Sequence, residues 1–484
     1  MKKYNKYIAL LFVISAFFSC DSKLDIEPRQ TLSTDVVLTN EENLEAVLFG
    51  AYAGLKGTFG TNEGGELFGG DFNLMSEMLA ATDNVRWGGS FDTYREMANK
   101  DLTTTNLVVR DNWIRGYDVI NSANNVLANL DLANTDAKRN LIEGQARAIR
   151  AMVYFDLVRI WSRPWGSGSE STDPGVPLVL QPTLTAVDAD ALKTLGRSTV
   201  SAVYSQILDD LTQAKSLISA DLGANGTNIS TYTVSAILSR VYLQQGNFAL
   251  AAQEADRVIS SEEYALAATP IGAFNNAANI GEDVFAIQQT SLSNAGTNNA
   301  GLTTFYARLF GNGRGDVQVQ QAHLDEYEAG DLRGGLQNDL SGTATIGGVS
   351  SMFYLGVGGQ NSGQIQCAKF GDPNLNIPVV RLAEMYLTRA EANFEEGTSV
   401  GDTPLNDINV IRERAGLAPL AGPITMDDIR KERRLELAFE GFRLHDFKRW
   451  QDPVGTLNYD APELVMPIPE REIEVYDIPQ NAGY

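Results

Sequence analysis

The sequence predicts a mainly α-helical fold: a degenerate, tetratricopeptide-like scaffold of helical hairpins with loop-rich insertions and a few short β-strands. Three observations predict it. Apolar residues recur at i, i+3/i+4 spacing over several long stretches. One pair of stretches carries small residues where two antiparallel helices must approach. Two segments rich in Gly, Asn, Ser and Thr interrupt the pattern. With 484 residues and 43% apolar side chains, the chain can bury a large core.

The elements follow in order. Lys2, Lys3 and Lys6 precede an apolar run over 7–18, and Ser19-Cys20 follows. A charged start, a run too short to span a bilayer and a cysteine after a small residue predict a lipoprotein signal over 1–19, with Cys20 as the acylated residue. Residues 20–30 are polar and unpatterned and read as a lipidated tether. From 31 to 484 we expect one unit: a helical scaffold over about 31–55, 108–260 and 376–450, loop-rich segments over 56–107 and 265–375, and a wrapping tail over 451–484.

Within the scaffold, Trp113, Tyr117, Ile120, Asn124 and Leu127 mark one helix, and Ala146, Ile149, Val153, Leu157 and Ile160 another over about 143–161. Thr199 is placed to cap a third, with Val200, Val203, Tyr204, Ile207, Leu208, Leu211, Ala214 and Ile218 on its apolar face. Leu238, Tyr242, Gly246-Asn247-Phe248, Ala251 and Ala255 lay out the hairpin. Ala383, Leu387, Ala390 and Phe394 step through a later helix, and a further one is expected over about 426–447. Val284–Ile287 reads as a strand. Pro462, Pro467, Pro469 and Pro479 keep the tail from being helical for long.

Charge and composition exclude whole classes. Thirty-eight basic residues against 61 acidic ones give −23, and −26 once the three lysines of residues 1–19 are set aside. That balance argues against nucleic acid as a partner. Two cysteines, Cys20 and Cys367, and two histidines, His323 and His445, leave no disulfide framework and no three-histidine metal site. No His-Glu-x-x-His, Gly-x-Ser-x-Gly or Walker motif occurs. Gly311-Asn312-Gly313-Arg314-Gly315 reads as a loop and not as a dinucleotide fingerprint. Carboxylate pairs such as Glu63/Glu66 or Glu77/Asp83 could in principle serve glycoside hydrolysis, but 61 acids make some pair inevitable. Lys431, Arg433, Arg434 and Arg443 alternate with Glu432, Glu436 and Glu440, which reads as a solvated face with i, i+3/i+4 pairing. No catalytic residue, metal or cofactor is expected.

Several of these stretches resemble the SusD/RagB nutrient-binding lipoproteins of Bacteroidetes-type outer membranes. They are Cys20, Gln145-Ala146-Arg147-Ala148-Ile149-Arg150 with Tyr154-Phe155-Asp156-Leu157-Val158-Arg159, and Ser239-Arg240-Val241-Tyr242-Leu243 with Gly246-Asn247-Phe248. Further on, Arg381–Ala392, Arg430–Arg443 with Asp446 and Arg449-Trp450, Pro467-Ile468-Pro469-Glu470 and the closing Gln480–Tyr484 follow in family order. The resemblance implies a SusD-like fold and a non-enzymatic, outward-facing, lipid-anchored outer-membrane protein. It also implies delivery of a glycan or other nutrient to a SusC-like TonB-dependent transporter, docked on the helical face.

The alternatives are a helical glycoside hydrolase and a repeat scaffold with no small ligand. For the ligand, aromatic rings in polar loops are the natural lead, because a pyranose offers a C–H face for stacking and a rim of hydroxyls. Trp87, with Asp83, Asn84 and Arg86 beside it and Gly88-Gly89 after it, is the first candidate, and its loss is expected to touch affinity more than stability. Tyr306 and Tyr354 are the others. The acidic balance favours a neutral glycan over a uronate or sulfated one.

Overall fold

The computed structural model describes residues 38–57, 64–223, 225–296, 299–340 and 345–484. The signal peptide, Cys20, the tether and Glu63 lie outside the described residues. The mainly helical class holds: sixteen α-helices and seven short strands are present among the described residues.

The first half of the scaffold is built from α1 (Glu41–Leu55), α2 (Asp71–Leu79), α3 (Asp92–Asn99), α4 (Leu107–Ala128), α5 (Asp136–Trp161), α6 (Ala186–Leu192) and α7 (Val200–Leu217). α5 is its axis. It is buried on nearly every side from Gly144 onward, and it packs between α4 and α7. Each fully buried Leu, Ile or Val there contributes roughly 1.5–3 kcal/mol. The polar residues of its motif have structural partners. Arg150 donates to Asp210 of α7 at 2.9 and 2.7 Å and to Asn124 of α4 at 2.7 Å, clamping three helices together. The Tyr154 hydroxyl donates to Val179 O at 2.9 Å and accepts from Val179 N, pinning the connection after α5. Thr199 caps α7 as expected, accepting from Ala202 N at 3.2 Å.

The expected hairpin is α8 (Thr231–Gln244) and α9 (Phe248–Ile259), with Ala251, Ala252 and Ala255 buried at the crossing. α9 packs in turn on α12 (Leu382–Glu396), which follows the short insertion helices α10 (Leu302–Tyr306) and α11 (Gln321–Leu324). α13 (Pro404–Arg414), α14 (Met426–Glu436) and α15 (Arg443–Trp450) close the scaffold, and α16 (Glu470–Tyr476) lies in the tail.

The single helix expected over 426–447 is two helices. Phe439 at φ +65° and Gly441 at φ +83° turn the chain sharply between them. A Cβ on Gly441 would stand 2.9 Å from the Asn73 Cα, so only glycine lets this turn sit against α2. The charged residues here are not a solvated face either. Glu432, Arg433 and Glu436 are buried, and their partners lie on other elements. Arg433 pairs with Asp446 at 3.0 Å, and Glu432 with Arg333 at 2.5 Å. Arg381 joins Glu282, Glu436 and Glu440, and Arg414 joins Glu282 and Glu436. The alternation that suggested pairing along one helix supplies carboxylates to a buried network with Arg333, Arg381 and Arg414.

The tail, extended in part and broken by turns, a 3-10 turn at Pro462–Leu464 and α16, runs along the end of α5. Trp161 donates through its indole to Pro467 O at 3.1 Å, Met466 N to Ile160 O at 3.0 Å, and Asn481 to Trp161 O at 2.8 Å. The closing motif is thus a clasp on the end of the central helix.

The expected loop segment over 56–107 is more ordered than its composition implied, because it contains α2 and α3. Strands β1 (Val85–Trp87), β3 (Val317–Val319), β4 (Leu336–Gln337), β5 (Phe353–Leu355) and β6 (Ile365–Cys367) form one sheet in the order β1-β3-β6-β5-β4. Its β4–β5 pair is parallel and the others are antiparallel. β2 (Asp283–Ile287), the expected strand, pairs with β7 (Ile377–Arg381) in a separate antiparallel ladder.

Candidate ligand-binding site

The five-stranded sheet brings the two loop-rich segments to one place. β1 pairs with β3 so that Val85 faces Val319, Arg86 faces Gln318 and Trp87 faces Val317. Side chains alternate across a strand, so Val85 is buried, Arg86 is exposed and Trp87 is half-buried. At the end of β1, Gly88 N donates to Asp316 O at 2.7 Å, and the 88–91 turn meets the 308–316 loop.

The join is held by amides and guanidiniums. Gln318 donates to Asn361 at 2.9 Å, and Asn361 donates to Arg314 O at 2.8 Å and Asp316 at 3.1 Å. Arg314 pairs with Asp316 at 2.8 Å, reaches Ser90 at 3.0 Å and lies 4.5 Å above the Phe91 ring. Arg308 donates to Gly313 O at 2.8 Å and to Gly358 O, while Val357 N donates to Arg308 O at 3.0 Å. Three segments, 86–91, 308–316 and 356–364, thereby form one face.

At its centre the chain folds back between Leu309 and Asn312, which exchange backbone hydrogen bonds at 3.0 and 3.2 Å. Phe310 stands at the tip with 55% of its surface exposed. Beside it is a depression of about 250 Å³, lined by Arg308, Phe310, Asn312, Arg314, Val357 and Gly358 among others. An exposed ring, amide groups and guanidiniums around a shallow hollow can stack on a sugar face and hydrogen-bond its rim.

The expected site residues are distributed as follows. Arg86 lies on this face, donating to Gln318 at 2.8 Å and Gln364 at 3.4 Å. Trp87 reaches it only in part. Its ring packs on Tyr94 (4.9 Å between centroids) and Phe305 (5.4 Å), and its Nε1–H is buried without an acceptor among the described residues. The expectation that its loss would spare stability is therefore corrected: this ring belongs to an aromatic cluster. Asn84 is buried and its Oδ1 accepts from Thr82 N at 3.2 Å, a turn-forming role away from solvent. Asp83 is exposed but sits at the opposite end of β1, about 13 Å of extended chain from Trp87.

Tyr306 and Tyr354 are corrections as well, because both are fully buried. The Tyr306 hydroxyl donates to Asn73 at 3.0 Å, and Tyr354 accepts from Arg308 N at 3.0 Å; these rings support the loops and cannot stack on a ligand. Phe310, Arg308 and Arg314 were missed. The signal is present in the sequence, since Phe310 heads the glycine-rich stretch 311–315 inside the expected loop-rich segment over 265–375.

No group of three or more metal-ligating side chains occurs among the described residues. His323 is buried and pushed down to about 3 by desolvation, so it is neutral. The Tyr327 proton goes to Leu435 O at 3.2 Å, so His323 Nε2–H donates to Tyr327 Oη at 3.1 Å, and the ring is a core group. Glu77 and Asp83 form no pair: Glu77 is buried, pushed up to about 7 by desolvation, and accepts from Gly441 N at 3.0 Å. A second hollow, of about 280 Å³, lies on the scaffold between α4, α6 and α16, and is lined by Trp113, Tyr117, Leu192, Leu195, Tyr476 and Ile478 among others.

Comparison with known proteins matches residues 24–243 to a family described as starch-binding and associating with the outer membrane, and residues 364–468 to the SusD family. SusD-like protein P2 of Formosa agariphila is 25% identical, with 100% of both chains covered. Starch-binding protein SusD of Bacteroides thetaiotaomicron is 41% identical over 126 residues, 23% of this chain and 22% of its own. A crystal structure of a SusD superfamily protein from Bacteroides thetaiotaomicron superposes with a TM-score of 0.75 at 22% identity, covering 92% of this chain and 100% of that one. Surface glycan-binding protein A from Bacteroides fluxus gives a TM-score of 0.71 at 20% identity, covering 92% and 100%. Likeness at this level of identity shows the fold.

Proposed function

The chain belongs to the SusD/RagB family, and from that premise we propose that it is a non-catalytic carbohydrate-binding lipoprotein of the outer membrane, handing oligosaccharide to a TonB-dependent transporter. The observation that carries the reading is the face around Phe310, where an exposed ring and a rim of amides and guanidiniums surround an open hollow. The names of relatives point the same way, as starch-binding and glycan-binding proteins.

The non-catalytic part rests on the chemistry of that face. Glycoside hydrolysis needs two carboxyl groups flanking the scissile bond. The carboxylate found within the 308–316 loop is Asp316, which is buried and already bound by Arg314 and Asn361. Docking on the transporter falls to the helical scaffold, which leaves the loop face free for ligand. Anchoring falls to Cys20.

One experiment on intact cells tests these parts together. Cells carrying the wild-type protein should hold a labelled oligosaccharide at their surface and release no new reducing ends from it. The Cys20→Ala variant should lose labelling by a palmitate analogue and, with it, surface retention. Reducing-end release by the purified protein would replace the reading with a hydrolase. Equal palmitate labelling of both forms would remove Cys20 as the anchor.

A further inference from the structure

We propose that the oligosaccharide taken by the Phe310 face is anionic, its carboxylates or sulfate esters held by Arg308 and Arg86; this rests on the carbohydrate reading above and names its substrate class. The observation is a mismatch of charge. The chain as a whole is −23, yet the residues lining the hollow include two arginines and no carboxylate. Arg314 has a counter-charge in Asp316 at 2.8 Å. Arg308 and Arg86 have none: neither forms an ion pair with any described residue.

What they do have is alignment. Arg308 is half-buried, and its Nε and Nη1 donate to the backbone carbonyls of Gly358 and Gly313. Those bonds fix the plane of the guanidinium and leave Nη2 without an acceptor among the described residues. Residue 359 makes room for that end, since a Cβ there would stand only 1.6 Å from Nη2. Arg86 is held in the same way by two side-chain carbonyls, Gln318 at 2.8 Å and Gln364 at 3.4 Å.

The backbone of Gln364 in turn links back to the hollow, because Gly356 N donates to the Gln364 backbone carbonyl at 2.9 Å next to Val357 and Gly358. Carbonyl dipoles orient a guanidinium without neutralising it. A half-buried cation kept in this state is stabilised when an anion arrives, and the planar fork matches the two oxygens of a carboxylate or sulfate. A neutral sugar needs only the amides already present. This departs from the neutral glycan that the overall acidity alone suggests; that acidity does not oppose contact at this face, because fields beyond about 8 Å are screened at physiological ionic strength.

The test uses the full-length protein and matched ligands whose charge can be removed. Oligogalacturonate is compared with its methyl ester, sulfated carrageenan oligosaccharide with its desulfated form, and malto-oligosaccharide serves as the neutral control, all by calorimetric titration. We expect binding to one of the anionic members, which identifies carboxylate or sulfate as the group read, and a loss of about tenfold or more on removing that charge from the ligand. Arg86→Gln should weaken the same complex by a similar factor while leaving the melting temperature unchanged. Arg308→Gln should weaken it further, and Arg86→Gln keeps the test valid if the loop does not tolerate the Arg308 change. Neutral oligosaccharide bound as tightly as either anion, with both arginine variants unaffected, would overturn the inference and leave the carbohydrate reading standing. Retention of none of these ligands by a protein with a native melting transition would sink the carbohydrate reading and this inference with it.

Discussion

Arg381→Met is expected to lower stability by about 3–5 kcal/mol, the cost of leaving buried charges without their partner. Arg381 is 2% exposed and joins Glu282, Glu436 and Glu440. Its loss leaves Glu282 to Arg414, Glu436 to Arg333 and Arg414, and Glu440 to Lys369. The methionine fills much of the volume, so the effect reads charge and not a cavity. Calorimetry should show the melting temperature falling by several degrees, and Arg381→Met/Glu440→Gln should recover part of the loss because the network then holds one fewer buried carboxylate for its remaining cations.

The same core fixes the sign of the pH dependence. Burial alone would raise the Glu436 carboxyl; Arg414, Arg381 and Arg333 overcome it and hold the group well below the usual carboxylate range. Glu440 is likewise raised by burial and brought down further by Arg381 and Lys369. Groups depressed in the folded state contribute stability that is fully present above their unfolded pKa of about 4.3 and is lost as pH falls below it. Acid should therefore erode the wild type more steeply than the Arg381→Met variant, in which this stabilisation is already reduced. A variant with wild-type melting temperature and wild-type acid sensitivity would show that the network contributes nothing.

Phe310→Ala and Trp87→Ala should separate binding from packing. Phe310 stands in solvent at a loop tip, so its truncation should reduce oligosaccharide affinity about tenfold or more and leave the melting temperature within about a degree. Trp87 shares its ring with Tyr94 and Phe305. Its truncation should lower affinity and also cost roughly 2–4 kcal/mol of stability, partly offset because the unpartnered indole N–H goes with it. Titration and calorimetry on the same two variants check this. Equal affinity for Phe310→Ala and wild type would remove the ring from the site.

The scaffold was legible in the sequence because helical periodicity is a local signal. Thr199, the α8–α9 hairpin and the apolar face of α5 each announce themselves within a few residues. The break between α14 and α15 was not legible, since it depends on Gly441 meeting Asn73, some 370 positions earlier in the chain. The acidic and basic residues of α14 carried the right types in the right order, but their partners, Arg333, Arg381 and Arg414, lie on segments that only the fold brings together.

The candidate site was half legible. An aromatic in a polar, glycine-rich loop is a sound signal, and it applies to Phe310 as well as to Trp87. Which ring faces solvent depends on the pleat of β1 and on Tyr94 and Phe305 behind it. Tyr306 and Tyr354 failed for the same reason, because a loop-rich segment can still bury the rings that hold its loops in place.

Ligand taken at the face formed by residues 86–91, 308–316 and 356–364 should leave a footprint on the backbone there. Hydrogen–deuterium exchange of the full chain, with and without a saturating oligosaccharide that the protein retains, tests it most directly. Exchange should slow in those three segments, with α4, α6 and α16 unchanged. Protection confined to the scaffold hollow between α4, α6 and α16, with none at the three loops, would contradict it.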